Sequence, residues 1–539
     1  MLAALAPLLL AVAAPALAQT SALSSTSSPT SLPVLGDSAR GDLSPVLERK
    51  LGEEIMFDVR RDRDFLDDDA ILDYLNNFGN ALVAAYPGAR GETGNDFYFF
   101  CVRDPVLNAF ALPGGFIAVH SALLLAAANE SELASVLSHE IGHVTQRHIA
   151  RMIGQQKGDA LMPLAAIILA ALASKAGPDA AIGVFMGGQG LAIQRQINFS
   201  REAERESDRV GFQIMTAAGF DASGMVAFFQ RMQTATKVYS DLTPPWLMSH
   251  PLTSERITDI RARIRAMPVR QRVDGLEFYL VRSRARVLQD ESSQGRQDAQ
   301  AFFTSQAQQQ NRQQQTAAQY GLAYLALKRG ELAKAAEWLA KARATSKPAS
   351  AAVPASAPGR SVATGPIATF STGQSSSFST SQSATDGAAM FAALDLEIKL
   401  APGQAAALAA QTVTDAAQAH DKFPVSRGIA RQYADAMIAA GQFDAATAYL
   451  REQVRQYKEE AKLYDLLAKA YAAQGKLTLQ HIALAESYVL AGAVPAAVDQ
   501  LGIARKAPDA SFYDLALIDA RERQLQARQR DELKEKKER

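Results

Sequence analysis

The sequence predicts an α+β chain, mainly helical, in which a domain with a small β-sheet is followed by an α-helical repeat solenoid. Three observations carry this prediction. Two short apolar runs, residues 97–103 and 114–120, read as strands within otherwise helical patterning. One long helix candidate holds the stretch SHEIGHVTQRH, Ser138 to His148, with three of the chain's seven histidines. Beyond Gln300, helix pairs recur around glycines, and Gly441 and Gly475 lie 34 positions apart, the period of a tetratricopeptide repeat.

At 539 residues the chain is too long for one ordinary core, so several domains are expected. Lys+Arg and Asp+Glu balance at 56 each, which gives no basic footprint and no nucleic-acid partner. The opening run MLAALAPLLLAVAAPALAQT ends in Ala16-Leu17-Ala18 before Gln19. Residues 1–18 therefore read as a signal peptide cleaved after Ala18, with a membrane anchor as the alternative. Residues 19–44, rich in Ser, Thr and Pro, read as a flexible lead. The single cysteine, Cys101, cannot form an internal disulfide and reads as a small buried apolar residue.

Helical patterning runs from Ser44 to about Ala85. Pro113-Gly114-Gly115 then turns the chain into a strand, Phe116 to His120. Asn129 reads as an N-cap with Glu132 at the third helical position, and one helix is expected from there through SELASVLSHEIGHVTQRHIARMIG. Residues 160–193 are strongly apolar but interrupted by Gly177-Pro178. Each half is short for a span, so a buried hairpin, a lid or an interfacial segment is expected, with a transmembrane hairpin as the alternative. In the repeat region, Ala335 follows Gly330 and Ala446 follows Gly441 by the same five residues, and small residues there let paired helices approach. Residues 301–345 form the first repeat, 346–387 a disordered low-complexity linker, 388–525 further repeats and 526–539 a charged tail.

On a helix, His139 and His143 project from one face and can bind one zinc ion, with Glu140 beside them as the general base. Residues 45–300 are therefore read as a zincin-type zinc metallopeptidase domain. Gly142 costs helix propensity that a merely structural helix has little reason to accept. His148 comes too early for a third ligand of the metzincin kind and reads as a residue that orients a ligand or lies on the helix face. A third ligand is sought in FSREAERESDRVGF, where Glu204 and Asp208 share a face; one carboxylate could bind metal while the other orients a ligating histidine. His250 precedes Pro251 and should be extended. It could stabilise the oxyanion of the tetrahedral intermediate, or occupy the open metal position in a resting state. The strand Phe116, Ile117, Ala118, Val119 is expected to be an edge that holds an extended substrate by backbone pairing.

Four segments, NAFALPGG, SHEIGHVTQRH, EAERESDRVGF and SHPLTSERI, occur in this order. In this they resemble the HtpX/Oma-like zinc metalloproteases, relatives of the CAAX prenyl proteases. The signal peptide and C-terminal repeats resemble those of the family's periplasmic members that enhance β-barrel assembly. The resemblance implies one zinc ion per subunit, held by His139, His143 and Glu204. It implies Glu140 as base, Asp208 as the residue that orients a ligand, His250 as a histidine that can cap the metal, and Arg256 near that loop. It implies a periplasmic endopeptidase acting on misfolded or stalled outer-membrane proteins, with the repeats docking the β-barrel assembly machinery. Peripheral membrane association and a shield over the active site at residues 155–200 belong to the same expectation. A rival reading from another class is a chaperone-like adaptor with a mostly latent protease site.

Overall fold

The structure is a computed structural model that describes residues 43–155, 201–238, 246–247, 250–268, 270, 272–347, 387–404 and 409–538. Residues 1–18, read as a signal peptide, nearly all of 19–44, the apolar stretch 160–193 and most of 346–387, read as a linker, lie outside the described residues. No helix among the described residues is long and apolar enough to cross a membrane.

Helix α1, Pro45–Val59, starts where Ser44 Oγ accepts from the Leu47 N–H, with proline in its first turn. Helix α2, Asp69–Ala85, is capped by Asp68, whose Oδ1 accepts from Ile71 N at 3.1 Å. Strands β1 (Tyr98–Val102), β2 (Ala109–Leu112) and β3 (Phe116–His120) form one sheet in the order β1-β3-β2. β3 runs parallel to β1, with Phe116 opposite Tyr98, and antiparallel to β2, with Phe116 opposite Leu112. The expected edge, Phe116, Ile117, Ala118 and Val119, is therefore the central strand. Both of its sides are already paired and all four side chains are buried, which leaves no free backbone for a substrate. The edges are β1 and β2. The four residues of β2 are all buried, so they lack the alternation that marks a strand in sequence. The turn between β2 and β3 needs glycine: Gly114 and Gly115 have φ of 77° and 89°, and a Cβ on Gly115 would fall 2.1 Å from the Asp96 carbonyl oxygen.

After the short helix α3, Ser121–Ala126, comes α4, Glu130–Thr145. Its cap is the expected one: Asn129 Oδ1 accepts from Glu132 N at 2.8 Å, and Glu132 Oε2 reaches back to Ala128 N at 2.9 Å. The helix does not run on through Gly154 as expected. It stops at Gln146, and α5, His148–Gln155, begins after Arg147, a non-glycine residue at φ 52°. That left-handed residue is held from outside: the buried Arg147 guanidinium donates to the Leu43 carbonyl at 2.6 Å and to Glu48 Oε2 at 3.1 Å. Helices α6 (Arg201–Ala217), α7 (Ser223–Val238), α8 (Ser254–Arg265) and α9 (Leu276–Gln289) complete the part around the site. Cys101 is buried in β1, as read from its apolar setting.

The described elements of the C-terminal part are helices: α10 (Ser293–Gln306), α11 (Arg312–Lys328), α12 (Leu332–Ser346), α13 (Ala388–Leu400), α14 (Ala409–Lys422), α15 (Arg427–Ala439), α16 (Phe443–Gln456), α17 (Ala461–Ala473), α18 (Leu477–Leu490), α19 (Val494–Arg505) and α20 (Phe512–Glu538). Four of its described turns are built alike. Gly330, Gly441, Gly475 and Gly492 have φ of 73°, 75°, 70° and 75°. The N–H of the following residue closes on the carbonyl five positions back, Glu331 to Ala326, Gln442 to Met437, Lys476 to Tyr471 and Ala493 to Tyr488. Ala335 and Ala446 are fully buried at the helix contacts.

The apolar core does not break at residue 300. Phe303, Tyr320, Leu339, Phe391 and Leu394 share one cluster with Ile71, Leu137 and Phe278. The acidic start of α2 ties the two parts together. Arg284 Nε lies 2.7 Å from both Asp68 oxygens and its Nη2 donates to Glu397 of α13 at 2.6 Å. Asp69 pairs with Arg431 at 2.7 Å, and Asp73 accepts from Ser426 Oγ at 2.6 Å.

Candidate metal centre and active site

Two glycines set the geometry. α6 crosses α4 so closely that a Cβ on Gly142 would meet Ser207 Oγ at 2.7 Å and the Ser207 carbonyl oxygen at 2.9 Å. A Cβ on Gly211 would meet His139 N and Ser138 O, both at 2.9 Å. Ser207 Oγ donates to the His139 carbonyl across the crossing. This contact lays the Glu204–Asp208 face of α6 over the His139–His143 face of α4, and it accounts for the glycine inside the motif.

His139, His143, Glu204 and His250 come together with one potential ligand atom each, all within 4.8 Å of one another and all buried. His139 Nε2 and His143 Nε2 face each other at 3.0 Å. Glu204 reaches both, with Oε1 3.4 Å from His143 Nε2 and Oε2 3.5 Å from His139 Nε2. His250 Nδ1 closes the group at 2.8 Å from Glu204 Oε1 and 3.4 Å from His139 Nε2. A tetrahedral cation with bonds of about 2.0–2.1 Å separates its ligand atoms by about 3.3 Å. The donor set matches a metal of this kind in chemistry and in spacing.

The opposite ring nitrogens are also held. Asp208 Oδ1 lies 3.0 Å from His139 Nδ1, and His148 Nδ1 lies 2.8 Å from His143 Nδ1. His148 Nε2 in turn contacts Glu206 Oε2 at 3.0 Å, which Arg151 also reaches at 2.6 Å. The break at Arg147 thus carries His148 from the continuing helix to the back of His143. Arg256 is buried. It grips Asp208 with Nε at 2.6 Å and Nη2 at 2.8 Å, and its Nη1 lies 2.7 Å from Glu204 Oε2.

The electrostatics follow these contacts. Burial pushes the Glu140 carboxyl up, and nearby His250 and His139 only partly offset it. Burial also opposes charge on Glu204 and Asp208, yet His250 and the other histidines hold Glu204 well below the usual carboxylate range, and the Arg256 guanidinium holds Asp208 low. Burial opposes charge on His139, which Asp208 and Glu204 nevertheless lift to about 9. Burial drives His143 well below its ordinary value.

One residue was missed by sequence reasoning. Trp246 Nε1 lies 3.3 Å from Glu140 Oε1. Its only signal was its place one helical turn before His250. The candidates Phe116 to Val119 are not brought to the metal group as a free strand; β2 and, to a lesser extent, β3 pack against α4.

The model of peptidase family M48 matches residues 81–264, a span that contains all four candidate ligands. The Beta-barrel assembly-enhancing protease of Escherichia coli (strain K12) is 30% identical over 494 residues, 92% of this chain and 91% of that protein. The chain belongs to peptidase family M48. Within the family, a Vibrio cholerae protein whose name carries the same words is 39% identical over 256 residues, 48% of this chain and 52% of that protein. This chain therefore spans about half the length of that relative. The Mitochondrial metalloendopeptidase OMA1 of Arabidopsis thaliana is 26% identical over 207 residues, 38% of this chain and 39% of that protein. The chain is a metallopeptidase of this family, and its His-Glu-x-x-His motif lies within the matched region.

Proposed function

We propose that the chain is a zinc endopeptidase in which His139, His143 and Glu204 hold the metal, Glu140 is the general base, and His250 occupies the fourth position in a resting state. The observation that carries this reading is the convergence of four buried side chains whose ligand atoms, one from each, all lie within 4.8 Å of one another. Bound zinc would supply a Lewis acid that acidifies water and polarises the scissile carbonyl. Glu140, whose carboxyl burial pushes up, takes the proton of the attacking water and returns it to the leaving amine. Asp208 and His148 fix the ring orientations of His139 and His143, and Arg256 fixes Asp208 and neutralises part of the carboxylate charge.

The relatives' printed name concerns enhancement of β-barrel assembly. Together with the N-terminal run ending at Ala18, it supports a periplasmic enzyme acting on stalled or misfolded outer-membrane proteins. The glycine-turn helix pairs at a 34-residue interval support tetratricopeptide repeats as the docking surface for assembly partners. The position of His250 on the ligand group favours a second reading, an adaptor whose protease site stays latent until a partner displaces that residue.

Unstructured casein offered to the purified full chain, with metal content measured in parallel, tests the proposal. Added chelator should abolish cleavage and zinc restore it. Glu140→Gln should keep the metal and lose at least about a hundredfold in rate, the low end for general acid–base catalysis. Cleavage that survives chelation, or a Glu140→Gln variant that cleaves like wild type, would overturn it.

A further inference from the structure

Trp246 is one of two tryptophans in the chain and is completely buried. Its ring packs on Phe228 and Phe229 of α7 at centroid distances of 5.4 and 6.0 Å, and on His139 and His250 at 5.8 and 5.1 Å. A buried tryptophan normally gives its N–H to a structural acceptor. Here the acceptor is Glu140 Oε1 at 3.3 Å, and the same oxygen lies 3.6 Å from His250 Nε2. The other oxygen, Glu140 Oε2, is buried without a hydrogen-bond partner among the described residues. The His250 N–H also donates to the Trp246 carbonyl at 2.8 Å, which ties the two residues together. The tied pair puts one ring on the ligand group and the other on the carboxylate beside it.

We propose that Trp246 is a positioning residue that acts as the second arm of a resting-state plug, with its indole N–H holding the Glu140 carboxylate while His250 holds the ligand group. A carboxylate that already accepts a hydrogen bond from a buried donor is a poorer proton acceptor and is fixed in one orientation. Because this hydrogen bond joins both arms, a peptide that displaces His250 must also draw the indole from Glu140. The indole's burial between α4 and α7 adds apolar stabilisation to the closed form, so binding energy from the peptide sets how often the site opens. This inference rests on the proposed peptidase reading.

Two measurements on the zinc-loaded full chain test it. Trp246→Phe keeps an apolar ring and removes the N–H donor. It should raise kcat/KM for an unstructured peptide by about two- to tenfold, the range of one net hydrogen bond, through a lower KM at unchanged kcat. A fall in kcat at full metal content would overturn the proposal, because the indole would then serve the working state. The second measurement keeps Trp246 and makes it the sole tryptophan by Trp338→Phe, combined with Glu140→Gln to prevent turnover. Saturating peptide should move the emission to longer wavelength as the indole leaves its buried site. Emission that stays put at saturation would overturn the proposal, even if Trp246→Phe fails to fold. If wild type cleaves no peptide at all, the peptidase reading fails instead, and the emission arm still judges Trp246 by itself.

Discussion

Gly211→Ala is a small change with two opposed consequences. Alanine in place of glycine inside a helix adds about 1 kcal/mol of helix stability. The new Cβ would stand 2.9 Å from His139 N and Ser138 O and 3.0 Å from His139 Cα, all backbone atoms of α4 that cannot rotate away. Ordinary carbon contacts need about 3.5 Å, so α6 must retreat by about half an ångström. Overpacking of this kind costs about 1–3 kcal/mol, which equals or exceeds the helix gain. The retreat also carries Glu204 and Asp208 away from His139 and His143. If a 1 Å displacement costs about a hundredfold in rate, half that distance costs about tenfold. Thermal unfolding, metal content and kcat/KM of the purified variant check the balance. The melting temperature should stay level or fall, and kcat/KM should drop about tenfold. A variant that melts several degrees higher, with full metal content and wild-type kcat/KM, would show that the crossing is not tight and that the argument from the two glycines is wrong.

Glu204→Gln should weaken zinc binding in a chelator competition, since an anionic ligand becomes neutral, while Glu202→Gln on the exposed side of the same helix should leave it unchanged. Loss of metal from the Glu202 variant alone would reverse the ligand assignment. Arg284→Met should destabilise the full chain to urea by about 3–5 kcal/mol, because it leaves the buried Asp68 and the half-buried Glu397 without their shared cation. An unchanged midpoint would show that these contacts do not join the N-terminal and repeat parts.

What could be read from the sequence was what depends on short spacing. His139 and His143 share a face because they are four apart on a helix, and the Asn129 cap follows from two residue types three positions apart. The glycine turns at 330, 441 and 475 needed only a left-handed residue between two helices. Glu204 and Asp208 were visible as a pair, but spacing gave no order between them. The order comes from the Gly142–Gly211 crossing, which sets Glu204 between both imidazoles and Asp208 behind one of them.

What could not be read depends on contacts between distant segments. The strand at Phe116–Val119 has the composition of an edge or a centre alike. Only the pairing of Ala109–Leu112 along its other side decides, and that strand is too short and too uniformly buried to carry a period. The helix break at Arg147 has no local cause in residue type, because arginine is a good helix former. Its cause is Glu48 and the Leu43 carbonyl, roughly a hundred positions earlier in the chain, as the 99- and 104-residue separations show. The break has a consequence for the site. A continuous helix would have carried His148 on past His143 with the same rise, whereas the left-handed residue turns it back until its Nδ1 stands 2.8 Å from that of His143. The N-terminal helix α1, which bears no candidate site residue, thereby helps to fix the orientation of a metal ligand through one buried ion pair. Its contribution is invisible to any motif, because the residues that make it, Glu48 and Arg147, are ordinary surface types until the fold buries both.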